Sequence, residues 1–394
     1  MPTRPCWVEI RARAFEDNYR FLASAVAPHA ELLAIVKADA YGHGLAYCAP
    51  AAVRAGARWL GVTSVEEGAA ARALCPDARI LVIGGIFPGQ GADAVKHGLT
   101  AVAWEPYQLD ELEAAAHAAG LGPAALTVHL ELDTGMSRQG VDAAGLAAML
   151  ARFGAASPLK LDGLMTHLFA ADEADGVVTR EQLARLESAI AEMHAAGLRP
   201  EWLNVGNSAA LVAGEAEAIA TLAARHGMSP LLRPGLALYG LIPRYAPAFA
   251  EEPAALAAAR QHLRLVLSWK SRVVSVRTVE PGAVVGYNGT FVATEPMRLA
   301  LIAAGYADGL DRRLANRFSL LVRGQRAPLV GRISMDQAVL DVTEIAYVAP
   351  GDEVVILGTQ GEETITAFDH ADVCGTIPWE VFTRIGPRVE RRAI

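Results

Sequence analysis

From about residue 30 to 240, short apolar runs alternate with alanine-rich, charge-dotted segments of helical length. Eight runs recur: Leu32–Lys37, Trp59–Ser64, Arg79–Gly84, Thr100–Trp104, Leu126–Asp133, Leu161–His167, Trp202–Gly206 and Leu231–Tyr239. Runs that are apolar throughout suit strands covered on both faces. The intervening segments, such as Ser64–Leu74 and Arg180–Ala196, read as helices; the latter places leucine, isoleucine and methionine at helical spacing. Eight such alternations predict an α/β fold, a (β/α)8 TIM barrel. A doubly wound open sheet is the alternative that alternation alone also allows.

After Pro243 the pattern changes. Tyr245–Ala258 is loop-like, and β-branched runs follow at Leu263–Val276, Met297–Ala304, Ser319–Val322, Arg326–Ile333, Gln337–Val342 and Glu353–Leu357. Turn signals separate them, among them Pro281-Gly282, Arg323-Gly324 and Pro350-Gly351. The reading is a barrel domain over residues 1–245 and a mostly β domain over 246–394. Trp7–Ile10 reads as one more strand, so residues 1–12 suit either domain.

Composition narrows the class. A chain of 394 residues is long enough for two cores. Mean hydropathy is +0.25, but no apolar stretch of about 18 residues runs without a charge or a break, which argues against a membrane span. The first residues lack an apolar signal core, so a cytoplasmic location is expected. A net charge of -8 argues against nucleic acid as a partner. Cys6, Cys48, Cys75 and Cys374 have neither metal-like spacing nor a disulfide framework.

Lysine is scarce: Lys37, Lys96, Lys160 and Lys270 are the whole set, against 35 basic residues in total. Lys37 closes the first apolar run, where an ammonium is costly. Desolvation there lowers the amine pKa and favours Schiff-base chemistry, although a lysine can also snorkel past a strand end. Barrel chemistry gathers at the C-terminal ends of the strands. Glu131, Asp133 and Arg138 follow the fifth strand, His167 the sixth, Asn204, Asn207 and Ser208 the seventh, and Arg233 with Gly235 and Leu236 the eighth. Taken singly, His167 could be a core histidine and each arginine an ion-pair member. Together they outline one mouth. Asn207-Ser208 and Gly235-Leu236 lie where barrels commonly hold phosphate, and a lysine beside a phosphate cradle points to pyridoxal 5′-phosphate, PLP.

The ordered set Ala34–Gly44, Asp133–Arg138, Asn207–Ala210, Arg233–Gly240, Gly286–Asn288, Gly305–Gly309 and Gly331–Gln337 resembles the alanine racemases, a family pairing a PLP-binding barrel with a C-terminal β domain. The resemblance implies that Lys37 holds PLP covalently and acts as one base, and that Tyr287, from the second subunit of a homodimer, is the other. It implies a phosphate site at Tyr41, Ser208, Gly235 and Leu236, with Asn204 and Trp379 also near the cofactor. His167 would lie against the pyridine ring, Arg233 at its nitrogen, and Arg138 at the phenolic oxygen and substrate carboxylate. The Met335 backbone would help bind substrate, and Arg312 would orient Tyr287. No metal is implied.

Three positions depart from the family pattern. Glu131 stands where many members carry a carbamylated lysine, so a carboxylate would supply the charge that supports Arg138. Trp379 replaces a tyrosine near the phosphate, and Asn204 a histidine that commonly supports the pyridine-side arginine. The expected activity is interconversion of L- and D-alanine for peptidoglycan. The alternatives are a broad-specificity racemase of the same fold, a related PLP-dependent decarboxylase, for which an acidic residue rather than Arg233 is expected at the ring nitrogen, and a PLP carrier without enzymatic activity, which would have no use for Tyr287.

Overall fold

The computed structural model describes residues 4–26, 28, 30–246 and 249–394. Pro247 and Ala248, inside the stretch read as loop-like, and the first three residues lie outside the described ones. The chain divides into two compact units. One comprises Arg13–Ala40 and Cys48–Arg264; the other comprises the residues up to Ala12, Tyr41–Tyr47 and Leu265–Ile394.

The first unit is a closed barrel of eight parallel strands: Glu31–Ile35, Trp59–Val62, Arg79–Val82, Thr100–Ala103, Leu126–Glu131, Leu159–Met165, Trp202–Asn204 and Ser229–Leu232. Closure comes from Glu31 and Leu32 pairing with Leu231 and Leu232. Leu33, Leu60, Leu81, Val102 and Leu203 are fully buried, as strands covered on both faces require. The helix after the second strand runs Val65–Leu74 with Ser64 as its cap, and a long one runs Val177–Ala195.

Two segments differ from the sequence expectation. The eighth run splits into the strand Ser229–Leu232 and a 3₁₀ turn, Leu236–Tyr239, because Pro234 cannot donate to the ladder. The stretch read as loop up to Ala258 contains the start of the helix Ala254–His262. Its alanines carry the highest helix propensity, and Leu256 and Ala259, three apart, bury one face.

The second unit is built on a mostly antiparallel sheet in the order Gln325–Pro328, Ser319–Val322, Glu353–Gln360, Leu267–Val279, Cys6–Ile10, Glu390–Ala393. Met297–Ile302 also pairs with the long Leu267–Val279 strand, and Ala338–Asp341 with Met297–Ile302. Cys6–Ile10, the strand ahead of the barrel in sequence, is thus a member of this sheet. Val285, Ala293, Met297, Leu299 and Val330 form a small core within the unit.

Candidate active site at the barrel mouth

Lys37 emerges just past the first barrel strand. The four residues after it, Ala38, Asp39, Ala40 and Tyr41, all adopt left-handed backbone, with φ of 52°, 51°, 54° and 52°. Each such non-glycine residue costs roughly 1–2 kcal/mol, so a run of four needs outside support. Part comes from Ala40 N–H, which donates to Val36 O at 2.9 Å. Part comes from Glu67, whose Oε1 accepts the Ala38 N–H at 2.8 Å while Oε2 accepts the Thr63 N–H at 2.7 Å. Glu67 is held in turn by the helix cap, its own N–H donating to Ser64 Oγ.

The Lys37 amine is held below its ordinary pKa by burial first, then by Arg138 and Arg233, with Glu67 opposing. A neutral amine is the nucleophilic form. Burial and the same cations, Arg233, Arg138 and Lys37, lower His167 to about 3, so its imidazole is neutral. Lys37, Arg138, His167 and Arg233 therefore share one electrostatic environment.

Arg233 is 5% exposed and spends four of its five N–H donors on the barrel. NH1 donates to Asn204 O and to Asn204 Oδ1, both at 2.6 Å; NH2 donates to Thr166 O at 2.9 Å and stands 3.3 Å from His167 Nδ1. Burial lowers its pKa to about 10, which leaves it charged near neutrality. Its Nε–H has no partner among the described residues.

Past the seventh strand, Asn207 caps the Ser208–Ala213 turn of helix and donates to Leu168 O at 3.0 Å. Ser208 Oγ accepts the Gly235 N–H at 2.9 Å and the Ala237 N–H at 3.2 Å. Gly235 thus gives its N–H to Ser208, while the Leu236 N–H has no partner among the described residues.

Glu131 has a partner that the sequence did not suggest. Its Oε2 accepts from Gln139 Nε2 at 2.6 Å, and no bond joins it to Arg138 among the described residues. The reason is placement: Glu131 is the 2% exposed end of a barrel strand, whereas Arg138 is exposed on the following loop. Burial raises the Glu131 pKa, with Gln139, Arg233 and Arg138 opposing. Asp133 shapes that loop, accepting from Gly135 and Ser137 N–H.

In the second unit, Tyr41 opens the segment Tyr41–Tyr47. A Cβ on Gly42 would lie 2.4 Å from Phe382 O, so this segment packs against the Pro378–Thr383 helix that carries Trp379. Tyr287, Met335 and Arg312 come from three other loops of the unit. A Cβ on Gly286 would meet Arg332 N at 3.1 Å, and one on Gly331 would meet Val285 O at 2.6 Å, which seats the Tyr287 turn on the Gly331–Gln337 loop. Gly305 fits only because it has no side chain: a Cβ there would lie 2.3 Å from Met335 O. Asn316 ties in the turn that carries Arg312, accepting from Gly331 N–H at 2.6 Å. Tyr287, Tyr306 and Met335 remain 67%, 45% and 52% exposed.

Glu67, Gln139 and the pairing of His129 with Asn204 escaped sequence reading. Ser64-Val-Glu-Glu67 carries a signal, but the spacing Ser-x-x-Glu ordinarily announces a helix start. Nothing in it points back to Lys37.

A (β/α)8 barrel with a lysine amine held below its ordinary pKa, a charged buried arginine and a neutral histidine at its mouth is the architecture of an enzyme of amine chemistry. The chain matches the alanine racemase N-terminal domain over residues 10–243 and the alanine racemase C-terminal domain over residues 266–393. It is 39% identical to the alanine racemase of Symbiobacterium thermophilum over 390 residues, covering 98% of this chain and 97% of that one. The crystal structure of alanine racemase from D-cycloserine producing Streptomyces lavendulae superposes with a TM-score of 0.87 at 34% identity, covering 100% of this chain and 98% of that one. The alanine racemase of Bartonella henselae, whose structure holds covalently bound pyridoxal phosphate, superposes at 0.82 with 28% identity over the full length of both chains. The chain belongs to the alanine racemase family and is accordingly an isomerase.

Proposed function

We propose that this protein interconverts L- and D-alanine with PLP as cofactor, using Lys37 and Tyr287 of the partner subunit as bases on opposite faces of the substrate. The observation that carries the reading is the place of Lys37, half-buried just past the end of the first barrel strand, where burial, Arg138 and Arg233 lower its amine pKa.

The donor set suits PLP. Lys37 offers an amine for the aldehyde, and Arg233 has its unpartnered Nε–H to offer a ring nitrogen. His167, neutral, can lie against the ring without adding charge. Ser208 and the Leu236 N–H would hold the phosphate, with the Gly235 N–H joining if Ser208 turned away, and Tyr41, Trp379 and Asn204 would complete the surroundings. When bound, PLP acidifies the substrate Cα–H by drawing electrons from it. Because guanidinium does not give up its proton, Arg233 leaves the ring nitrogen unprotonated, which moderates that withdrawal and disfavours side reactions. Arg138 and the Met335 backbone would bind the substrate carboxylate.

Racemisation requires a proton to leave one face and return to the other, so one base on each side suffices. Lys37 serves one face. Tyr287 stands well exposed on the second unit, as do Tyr306 and Met335, and large aromatic and apolar side chains left exposed suit an interaction surface. A two-fold dimer would use it twice, each subunit lending Tyr287, Arg312 and Met335 to the other's mouth. The D-alanine would serve peptidoglycan synthesis in the cytoplasm.

The test is direct. Purified protein is incubated with L- or D-alanine in deuterated water, and Cα exchange and inversion are followed from both sides, with a panel of other amino acids alongside. Borohydride reduction followed by mass mapping should place the cofactor on Lys37. Attachment at Lys96, Lys160 or Lys270, or inversion of other amino acids in preference to alanine, would overturn the reading.

A further inference from the structure

TIM barrels ordinarily fill their interior with apolar layers. In this barrel three polar side chains are buried on consecutive strands: Asn204 and His129 at 0% and Asp162 at 1% exposure. They form a line. Arg233 NH1 donates to Asn204 Oδ1 at 2.6 Å, and Asn204 Nδ2 stands 3.2 Å from His129 Nδ1. His129 Nε2 lies 3.8 Å from Asp162 Oδ2, an electrostatic contact longer than a hydrogen bond. Asp162 is itself fixed, accepting from Arg79 NH2 at 2.5 Å and from Lys160 Nζ at 3.1 Å. Arg79 in turn covers the Trp59 ring at 3.8 Å.

The backbone is arranged for this line. Val128 pairs with Leu161 but His129 pairs with Gly163, so the register skips Asp162. Such a shift re-aims a side chain. Gly163 makes room for the imidazole: a Cβ there would lie 2.5 Å from His129 Cε1 and 2.7 Å from each ring nitrogen.

Donor and acceptor chemistry gives the line one direction. A guanidinium only donates, so Asn204 must turn Oδ1 toward Arg233. Its amide nitrogen then faces His129 Nδ1, which has to be the bare, accepting nitrogen. The ring proton is left on Nε2, facing a carboxylate that only accepts. Turning Asn204 over would set donor against donor at Arg233. Burial lowers the His129 pKa, against the pull of Asp162, and so keeps the ring singly protonated. Burial works against ionisation of Asp162, but the contacts from His129 and Lys160 and the charge of Arg79 hold its carboxyl below the usual range.

We propose that His129, its Nε2 proton directed at the Asp162 carboxylate, is a positioning residue for Arg233. Acting through Asn204, it holds the guanidinium in the one arrangement that keeps Nε–H free for the cofactor ring. The inference rests on the role given to Arg233 above. It also accounts for an asparagine at position 204: the amide passes the constraint across the sixth strand to a buried histidine on the fifth.

The test combines one measurement on the wild-type holoenzyme with two variants. Nitrogen NMR of histidine-labelled protein, with the His129 signals assigned by their loss in His129→Gln, should show Nε2 protonated and Nδ1 bare at pH 7. His129→Leu removes the acceptor for Asn204. It should weaken PLP binding to apoenzyme roughly tenfold, the scale of one lost hydrogen bond, and shift the visible band of the bound cofactor. His129→Gln, whose amide oxygen can accept from Asn204, should restore both. A proton on Nδ1, or a doubly protonated ring, would overturn the proposal even if His129→Leu fails to fold. So would a His129→Leu enzyme of lowered melting temperature but unchanged PLP affinity and band, since that marks a packing residue. Absence of cofactor attachment to Lys37 in the wild type would overturn the reading of the site instead, and the tautomer, measured on apoenzyme, would still judge the hydrogen-bond line.

Discussion

Glu67 holds the main chain immediately after Lys37: its Oε1 accepts the Ala38 N–H at 2.8 Å, tying the left-handed turn to the end of the second barrel strand. Glu67→Ala should release that turn and lose roughly 1–3 kcal/mol of stability, because two amides lose their acceptor. Glu67→Gln keeps one good acceptor and should lose less. Cofactor retention should follow the same order, measured as the rate at which PLP leaves during dialysis. Equal retention in all three proteins would show that the turn holds its shape without Glu67.

Tyr287→Phe should bind PLP normally yet lose racemisation by about 10²–10⁴-fold, the range for removing a general base. Proton abstraction should suffer more from one enantiomer than from the other in isotope exchange. Small and equal losses for both would reduce Tyr287 to a packing residue.

Glu131 predicts a stability difference that depends on pH. Burial raises its folded pKa, so its contribution to stability is full below the ordinary carboxyl range and is lost as pH rises through the raised value. Glutamine does not titrate. The melting temperature of Glu131→Gln minus that of wild type should therefore grow with pH across that window and then level off. Because a carboxylate is already present, activity should not respond to bicarbonate. A temperature difference that shrinks as pH rises would reverse the sign of the burial effect.

A shared site can be read from complementation. Lys37→Ala and Tyr287→Phe subunits, each inactive alone, should recover activity when mixed and allowed to exchange. One site of a mixed dimer then carries both changes and the other carries neither. A mixture that exchanges subunits and stays inactive would place Lys37 and Tyr287 of one chain in the same site.

The apolar runs by themselves determined the eight barrel strands, because a strand covered on both faces must be apolar along its length, and that demand is local. The same holds for Lys37, whose charge at a strand end is anomalous within a few residues of sequence. Tertiary structure decided the rest. Glu67 meets Ala38 from 29 positions away, and its Ser-x-x-Glu spacing carries a helix-capping meaning that hides the second role. Glu131 follows the same logic: a buried strand end faces Gln139 across the loop, while Arg138 stays out in solvent. The clearest case is His129, which looks like one polar interruption in an apolar run. Only the register shift at Asp162 and the missing side chain at Gly163 give the ring its place. Hydrogen-bond direction depends on which atoms meet across strands, and pairing across strands is a property of the closed barrel that no single stretch of the chain contains.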